Sequence, residues 1–334
     1  MAAAFVHSHA SHCESGVMSS MLRHHGLPLS EAMAFGLGAA LCFAYLPCIR
    51  VNGLPLVSYR MPPRAIIKGL HRSLDLGMRF ETFSSPQAGM QRLDALLDAG
   101  QLVGCQTSVF WLPYFPPDLR FHFNAHNLLV YGREGDDYLV SDPVGEEPVR
   151  CARADLQRAR FAKGVLAPKG LLYYPTRVPA RADWARLGRA AIGRTARIML
   201  YTPLPLVGVR GMRMLARRVE RLALGDGGKA ARLYIGNIVR MQEEIGTGGG
   251  GFRFLYASFL QELAAAAAYA PLETLAARLV EIGDHWREFA LAGARMIRNR
   301  DPLDPPALAQ RLRALAAEEK RFFHDLHAAQ RAWP

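Results

Sequence analysis

The residue pattern of this chain changes once, at residues 175–179, and that change limits the fold more than any other feature. Before it, turn residues divide the sequence into short apolar runs. After Trp184 the apolar positions recur at helical spacing almost to the end. The first part opens with helices and closes with strands, the order of an α+β domain, whereas the second reads as all α. Two domains are expected, residues 1–175 and 180–334. A chain of 334 residues that is 50% hydrophobic has enough apolar surface for two cores.

In the first domain, residues 1 to about 46 read as two helices, the second capped by Ser30, and residues 49–59 as a hairpin. Residues 65–76 read as a helix capped by Gly77, residues 79–83 as a short strand, and Pro86 opens a helix that Gly100 stops. A strand at 101–111, a proline-rich loop, a hairpin over 121–142, a helix near 154–162 and a strand near 171–174 follow. Residues 32–49 carry no charge and approach the length of a membrane span. Their glycines, alanines and Pro47 point instead to a buried helix-loop segment, so no span is expected. In the second domain the clearest helices are the alanine-rich 259–269 and the amphipathic 306–333.

Ser11-His12-Cys13-Glu14 has the S-x-x-E form of a capping box. It is expected to start a helix with Cys13 in the first turn and Val17, Met18, Met21 and Leu22 as its core stripe. The positive end of the helix dipole favours a thiolate there, but Glu14 opposes it, so a base is required. His126 and Asp142 follow in the order of a papain-like triad. If 128–131 pairs with 138–141, the open end of that hairpin brings them together. His126 would then take the thiol proton while Asp142 fixes the imidazole. Singly, these are a core cysteine, a strand histidine and a strand-ending Asp-Pro turn; only together do they specify a nucleophile.

The run His12-Cys13-Glu14-Ser15-Gly16 continues to Leu22, Gly26, Leu29-Ser30-Glu31, Phe35-Gly36-Leu37-Gly38-Ala39-Ala40-Leu41, Phe43 and Tyr45. It resembles the N-terminal domain of the butirosin biosynthesis protein H (BtrH) family. Ile245-Gly246-Thr247-Gly248-Gly249-Gly250-Gly251-Phe252-Arg253, with Tyr256, Phe259, Leu260 and Glu262, resembles the helical domain of unknown function that accompanies it. The resemblance implies a papain-like cysteine-peptidase-type fold in residues 1–175, used for acyl transfer in natural-product biosynthesis. The donor would be the thioester of an acyl or peptidyl carrier protein, the acceptor a small-molecule amine or alcohol, and Cys13 the acyl-enzyme residue. No bound cofactor is implied; the phosphopantetheine-linked acyl group would arrive on the carrier. A peptidase, amidase or thioesterase with the same triad, or a non-catalytic carrier-binding protein, are the alternatives.

The segment from His126 to Asp142 also looks like the His-strand-Asp-Pro block of peptidases that trim bacteriocin leaders. Those carry an oxyanion-hole Gln six residues before the Cys, where this chain has His7. His7 and Glu14 are therefore the candidates beside the nucleophile, with backbone amides near Cys13 as the other oxyanion donors. Gly248, Gly249, Arg253 and Tyr256 are expected to border the acceptor or pantetheine channel, and the helical domain to cover the cleft. The glycine run lacks the Lys-Ser/Thr of a P-loop.

Charge is uneven. Residues 181–240 hold thirteen Lys plus Arg against three Asp plus Glu, most of the excess in a chain of formal charge +12. Such a surface draws polyanions. Without a zinc finger, an RNA-binding aromatic motif or a helix-turn-helix, nucleic acid is not expected. An acidic carrier protein is, with Arg213, Arg217 and Arg218 as its contacts. His7, His9, His12, Cys13, His24 and His25 match no metal-ligand spacing, so no metal is expected. The five cysteines form no C-x-x-C pair and the N-terminus shows no signal pattern, which makes a cytoplasmic location the expectation. Homo-oligomerisation stays open.

Overall fold

The computed structural model describes residues 5–51, 53–244 and 246–333. In chain order it contains α1 (Cys13–His24), α2 (Glu31–Leu37), β1 (Leu41–Val51), β2 (Leu54–Arg60), α3 (Ala65–Leu74), β3 (Arg79–Glu81), α4 (Pro86–Asp98) and β4 (Val103–Thr107). Then come β5 (His126–Glu134), β6 (Asp137–Ser141), β7 (Val149–Ala152), α5 (Arg153–Arg160) and β8 (Leu172–Tyr174). The helices α6 (Trp184–Tyr201), α7 (Gly208–Glu220), α8 (Lys229–Glu243), α9 (Arg253–Ala266), α10 (Pro271–Ile297) and α11 (Pro305–Ala332) complete the chain.

These elements form two compact units. One combines the residues up to Ala34 with Ile66–Ala182; the other combines Phe35–Ala65 with the chain from Asp183 onward. The α+β class of the first and the helical character of the second match the sequence pattern. The β1–β2 hairpin does not follow the expected continuous division, because it packs with the helices.

The first unit is built on an antiparallel sheet of order β3-β8-β4-β5-β6-β7. Val103, Cys105, Leu128, Val130, Val140, Cys151 and Leu172 share one core with Met90 and Leu93 of α4 and Leu156 of α5. Strand alternation turns Asn127 and Leu129 to the opposite face. Helix α1 packs against β5. Its stripe of Val17, Met18, Met21 and Leu22 is fully buried. Helix α4 begins as its residues dictate, with Pro86 in the first turn and the Ser85 hydroxyl accepting from the Ala88 amide at 3.3 Å.

In the second unit, residues 41–51 form a strand where a buried helix-loop segment was expected. An uncharged apolar run has no periodicity to separate the two states, and Phe43 and Tyr45 suit a strand. The hairpin is tied down by Tyr45 N donating to Leu206 O at 2.9 Å and by the Tyr45 and Tyr234 hydroxyls, 3.0 Å apart. Asn237 Nδ2 donates to Pro55 O at 3.2 Å. Among the described residues no helix is long and apolar enough to cross a membrane.

Candidate active site

Helix α1 starts at Cys13 and sets its thiol, 7% exposed, in the first turn. The expected capping box does not form. Glu31, at the start of α2, takes the place expected of Glu14: its carboxylate accepts from Ser11 N at 3.0 Å, Ser11 Oγ at 3.1 Å and His12 N at 2.7 Å. His12 is the actual N-cap, its side chain accepting from Ser15 N. A carboxylate from elsewhere in the chain thus compensates the unpaired amides and the positive helix end, as a local Glu would have done. Glu14 is fully buried and serves another helix, with Oε1 accepting from Ile66 N at 2.9 Å and Ile67 N at 3.3 Å to cap α3.

His126 arrives on the β5–β6 hairpin. Leu129 pairs with Ser141 and Val130 with Val140, then an irregularity near Tyr131 brings Gly132 opposite Leu139. The register differs from the simple pairing by one residue at the open end and by two beyond the irregularity, yet the open end still joins His126 to Asp142. His126 Nε2 lies 2.7 Å from Asp142 Oδ2. Nδ1 is left for the Cys13 thiol, with which the ring shares a hydrogen bond. Tyr114 Oη donates to Asp142 Oδ2 at 2.8 Å and Val144 N to Oδ1 at 3.3 Å. The Phe115 ring meets the imidazole edge-on at 5.5 Å.

Burial alone would lower the His126 pKa. The charge and hydrogen bond of Asp142, joined by those of Cys13, outweigh it and lift the pKa to about 10. At neutral pH this imidazole holds its proton, the condition for an imidazolium paired with a thiolate. Burial and the Asp142 charge push the Tyr114 phenol well above its ordinary value, so it remains a donor.

The segment before α1 secures the Asp142 turn. Ala10 N donates to Pro143 O at 2.6 Å, His7 Nδ1 meets Ser141 Oγ at 2.7 Å and His7 Nε2 meets Gly145 O at 3.1 Å. With both ring nitrogens engaged, His7 acts as a strut for the turn. Gly16 permits the close approach, since a Cβ there would lie 2.5 Å from Pro143 Cβ and 2.7 Å from Ala10 Cβ.

The other expected site residues divide sharply. Arg253 is fully buried, donating through Nε and Nη2 to Glu319 at 2.8 and 3.0 Å and through Nη1 to Gly251 O at 2.7 Å. Trp286 Nε1 donates to the same carboxylate at 2.6 Å. Tyr256 is likewise fully buried, so neither residue presents a surface to a ligand; both hold the helical core together. Gly248 is exposed and Gly249 buried, both with positive φ in the turn between α8 and α9, where Gly250 N donates to Glu243 Oε1 at 3.2 Å. Ile245 lies outside the described residues. Arg213, Arg217 and Arg218 are exposed on α7, Arg218 over the Tyr234 ring at 5.6 Å.

Sequence reasoning missed Tyr114, Asn127 and Tyr173. Tyr114 sits in a proline-rich loop without periodicity, and the other two are unremarkable strand residues until the sheet brings them together. Among the described residues, no group of three or more His, Cys, Asp or Glu side chains is placed to hold a metal ion. All five cysteines are free thiols.

A buried thiol at a helix start, an imidazole at the end of an antiparallel hairpin and a carboxylate behind it define a cysteine-peptidase-like site on an α+β fold. The sequence matches the family model "Butirosin biosynthesis protein H, N-terminal" over residues 12–143 and "Domain of unknown function (DUF4872)" over residues 154–326. The chain belongs to the family in which these two domains are joined. The second match begins inside α5, so its first residues and β8 lie in the sheet unit. A solved chain described as a C39-like peptidase from Bacillus anthracis aligns with 52% of this chain and 96% of its own length, at 14% identity and a TM-score of 0.37. No curated protein matches the sequence.

Proposed function

We propose that the protein is a cysteine-dependent acyltransferase that moves an acyl group from a carrier-protein thioester to a small-molecule amine or alcohol. The supporting observation is the buried line of Cys13, His126 and Asp142, with His126 Nε2 2.7 Å from the carboxylate. The Cys13 thiolate attacks the thioester carbonyl. Collapse of the adduct leaves the acyl group on Cys13, and the departing carrier thiolate takes the His126 proton. The acceptor then attacks the acyl-enzyme, passes its proton to His126 and releases Cys13 as thiolate. Asp142 steadies the imidazolium at both ends of this cycle. With His7 held by Ser141 and Gly145, oxyanion stabilisation is assigned to backbone amides at the start of α1.

The acyl group would be carried on phosphopantetheine, and the exposed Arg213, Arg217 and Arg218 suit the acidic surface of its carrier. The test is product analysis with an acylated carrier protein, with and without an amine. Acylated amine formed by the native chain and absent with Cys13→Ala supports transfer. Free acid as the sole product in both conditions would assign a thioesterase instead.

A further inference from the structure

Beyond the triad, one more polar side chain reaches the nucleophile. Asn127 follows His126 on β5 and is 2% exposed, with Nδ2 4.0 Å from Cys13 Sγ. The same nitrogen donates to Ala125 O at 3.1 Å, and Tyr173 Oη donates to Oδ1 at 3.0 Å. A carbonyl oxygen can only accept, so the Ala125 contact fixes which end of the carboxamide is nitrogen. One N–H is spent on Ala125, and the second is the one directed at sulfur.

The sheet is shaped for this arrangement. Gln106 of β4 pairs with Asn127, and Gly104 pairs with both Leu129 and Tyr173. A Cβ on Gly104 would lie 2.2 Å from the Tyr173 ring. The missing side chain is therefore the slot through which a fully buried tyrosine reaches Asn127. Burying a phenol, a carboxamide and a thiol together is costly unless each is paired, and a directed hydrogen bond to sulfur is what the cluster supplies.

We propose that Asn127 is a catalytic residue that donates its second N–H to the Cys13 sulfur and stabilises the thiolate, while Tyr173 is a positioning residue that holds the carboxamide in that orientation. The inference rests on Cys13 being the nucleophile. Other titratable groups surround the sulfur. His126 lies on β5 with Asp142 and Tyr114 behind it, His12 caps α1 before Cys13, Glu14 follows it on α1, and Tyr173 lies on β8. With these neighbours, the quantity to read is the apparent pH midpoint of Cys13 reactivity, which belongs to the site as a whole.

The experiment measures iodoacetamide alkylation of Cys13 against pH in the full chain, resolved by peptide mass. Asn127→Ala is expected to raise the midpoint by about one pH unit and to slow alkylation about tenfold below it. Tyr173→Phe is expected to raise it by less. Asn127→Asp, which puts a carboxylate in place of the donor, is expected to raise it further than Ala does. A protein in which Asn127 only fills space would keep the native midpoint. Unchanged midpoints in folded Asn127→Ala and Tyr173→Phe overturn the inference; if the first does not fold, Tyr173→Phe decides alone. If native Cys13 reacts no faster than the exposed Cys48, it is the nucleophile assignment itself that fails.

Discussion

Tyr114 donates its hydroxyl to Asp142 Oδ2, the same oxygen that lies 2.7 Å from His126 Nε2. The carboxylate therefore shares its charge between a neutral donor and the imidazole. Removing the hydroxyl in Tyr114→Phe leaves Asp142 pulling harder on the His126 proton, which is then a poorer proton for the departing carrier thiol. Acyl transfer should slow about tenfold. Single-turnover kinetics of the variant checks this.

Asp142→Asn addresses the same pair through pH. In the native protein His126 has a raised pKa, so its stabilising contribution is complete below its ordinary value of 6.5 and is lost as pH rises through about 10. In Asp142→Asn the main raising influence is gone and burial dominates, which reverses the slope. The difference in urea midpoint between native chain and variant should shrink steadily from pH 7 to pH 10. A constant difference would contradict the pairing. Transfer by the variant should fall by roughly two to four orders of magnitude.

Gly16→Ala tests the contact between α1 and the Asp142 turn. The added methyl must displace Pro143 or Ala10, at a cost of about 1–3 kcal/mol. Because Pro143 follows Asp142 directly, the variant should lose both melting temperature and transfer rate, as thermal unfolding and kinetics would show.

The buried Arg253 and Glu319 pair separates a structural arginine from a binding one. Glu319→Gln or Arg253→Met alone leaves a buried charge uncompensated and should cost about 3–5 kcal/mol. The double variant Arg253→Met/Glu319→Leu should be milder than either. Denaturant titration of all three gives the ordering. A loss in the double variant equal to the sum of the two single losses would show that the pair is not coupled.

Charge reversal of Arg213, Arg217 and Arg218 to Glu should weaken carrier binding on the order of tenfold or more and flatten its salt dependence. Calorimetric titration at two ionic strengths reads both effects.

How far these relationships were legible depends on where their partners lie in the chain. His126 and Asp142 meet through a local hairpin around Gly135, so alternation and turn chemistry sufficed to place them. The capping box misled because Glu31, not Glu14, closes α1, and a carboxylate packed in from another helix leaves no trace in a four-residue pattern. Arg253, beside a glycine run, looks like a ligand-binding arginine until Glu319 arrives from α11. Asn127 and Tyr173 depend on the order of β4, β5 and β8 in the sheet, which periodicity does not encode. The strand at 41–51 was hidden for a simpler reason: a charge-free apolar run reads equally well as either element.

The most direct measurement is intact mass of the full chain after brief exposure to an acylated carrier protein without acceptor. One added acyl group is expected, mapped to Cys13, absent from Cys13→Ala and strongly reduced in His126→Ala. An acyl group on another residue, or equal labelling of the Cys13→Ala chain, would contradict it.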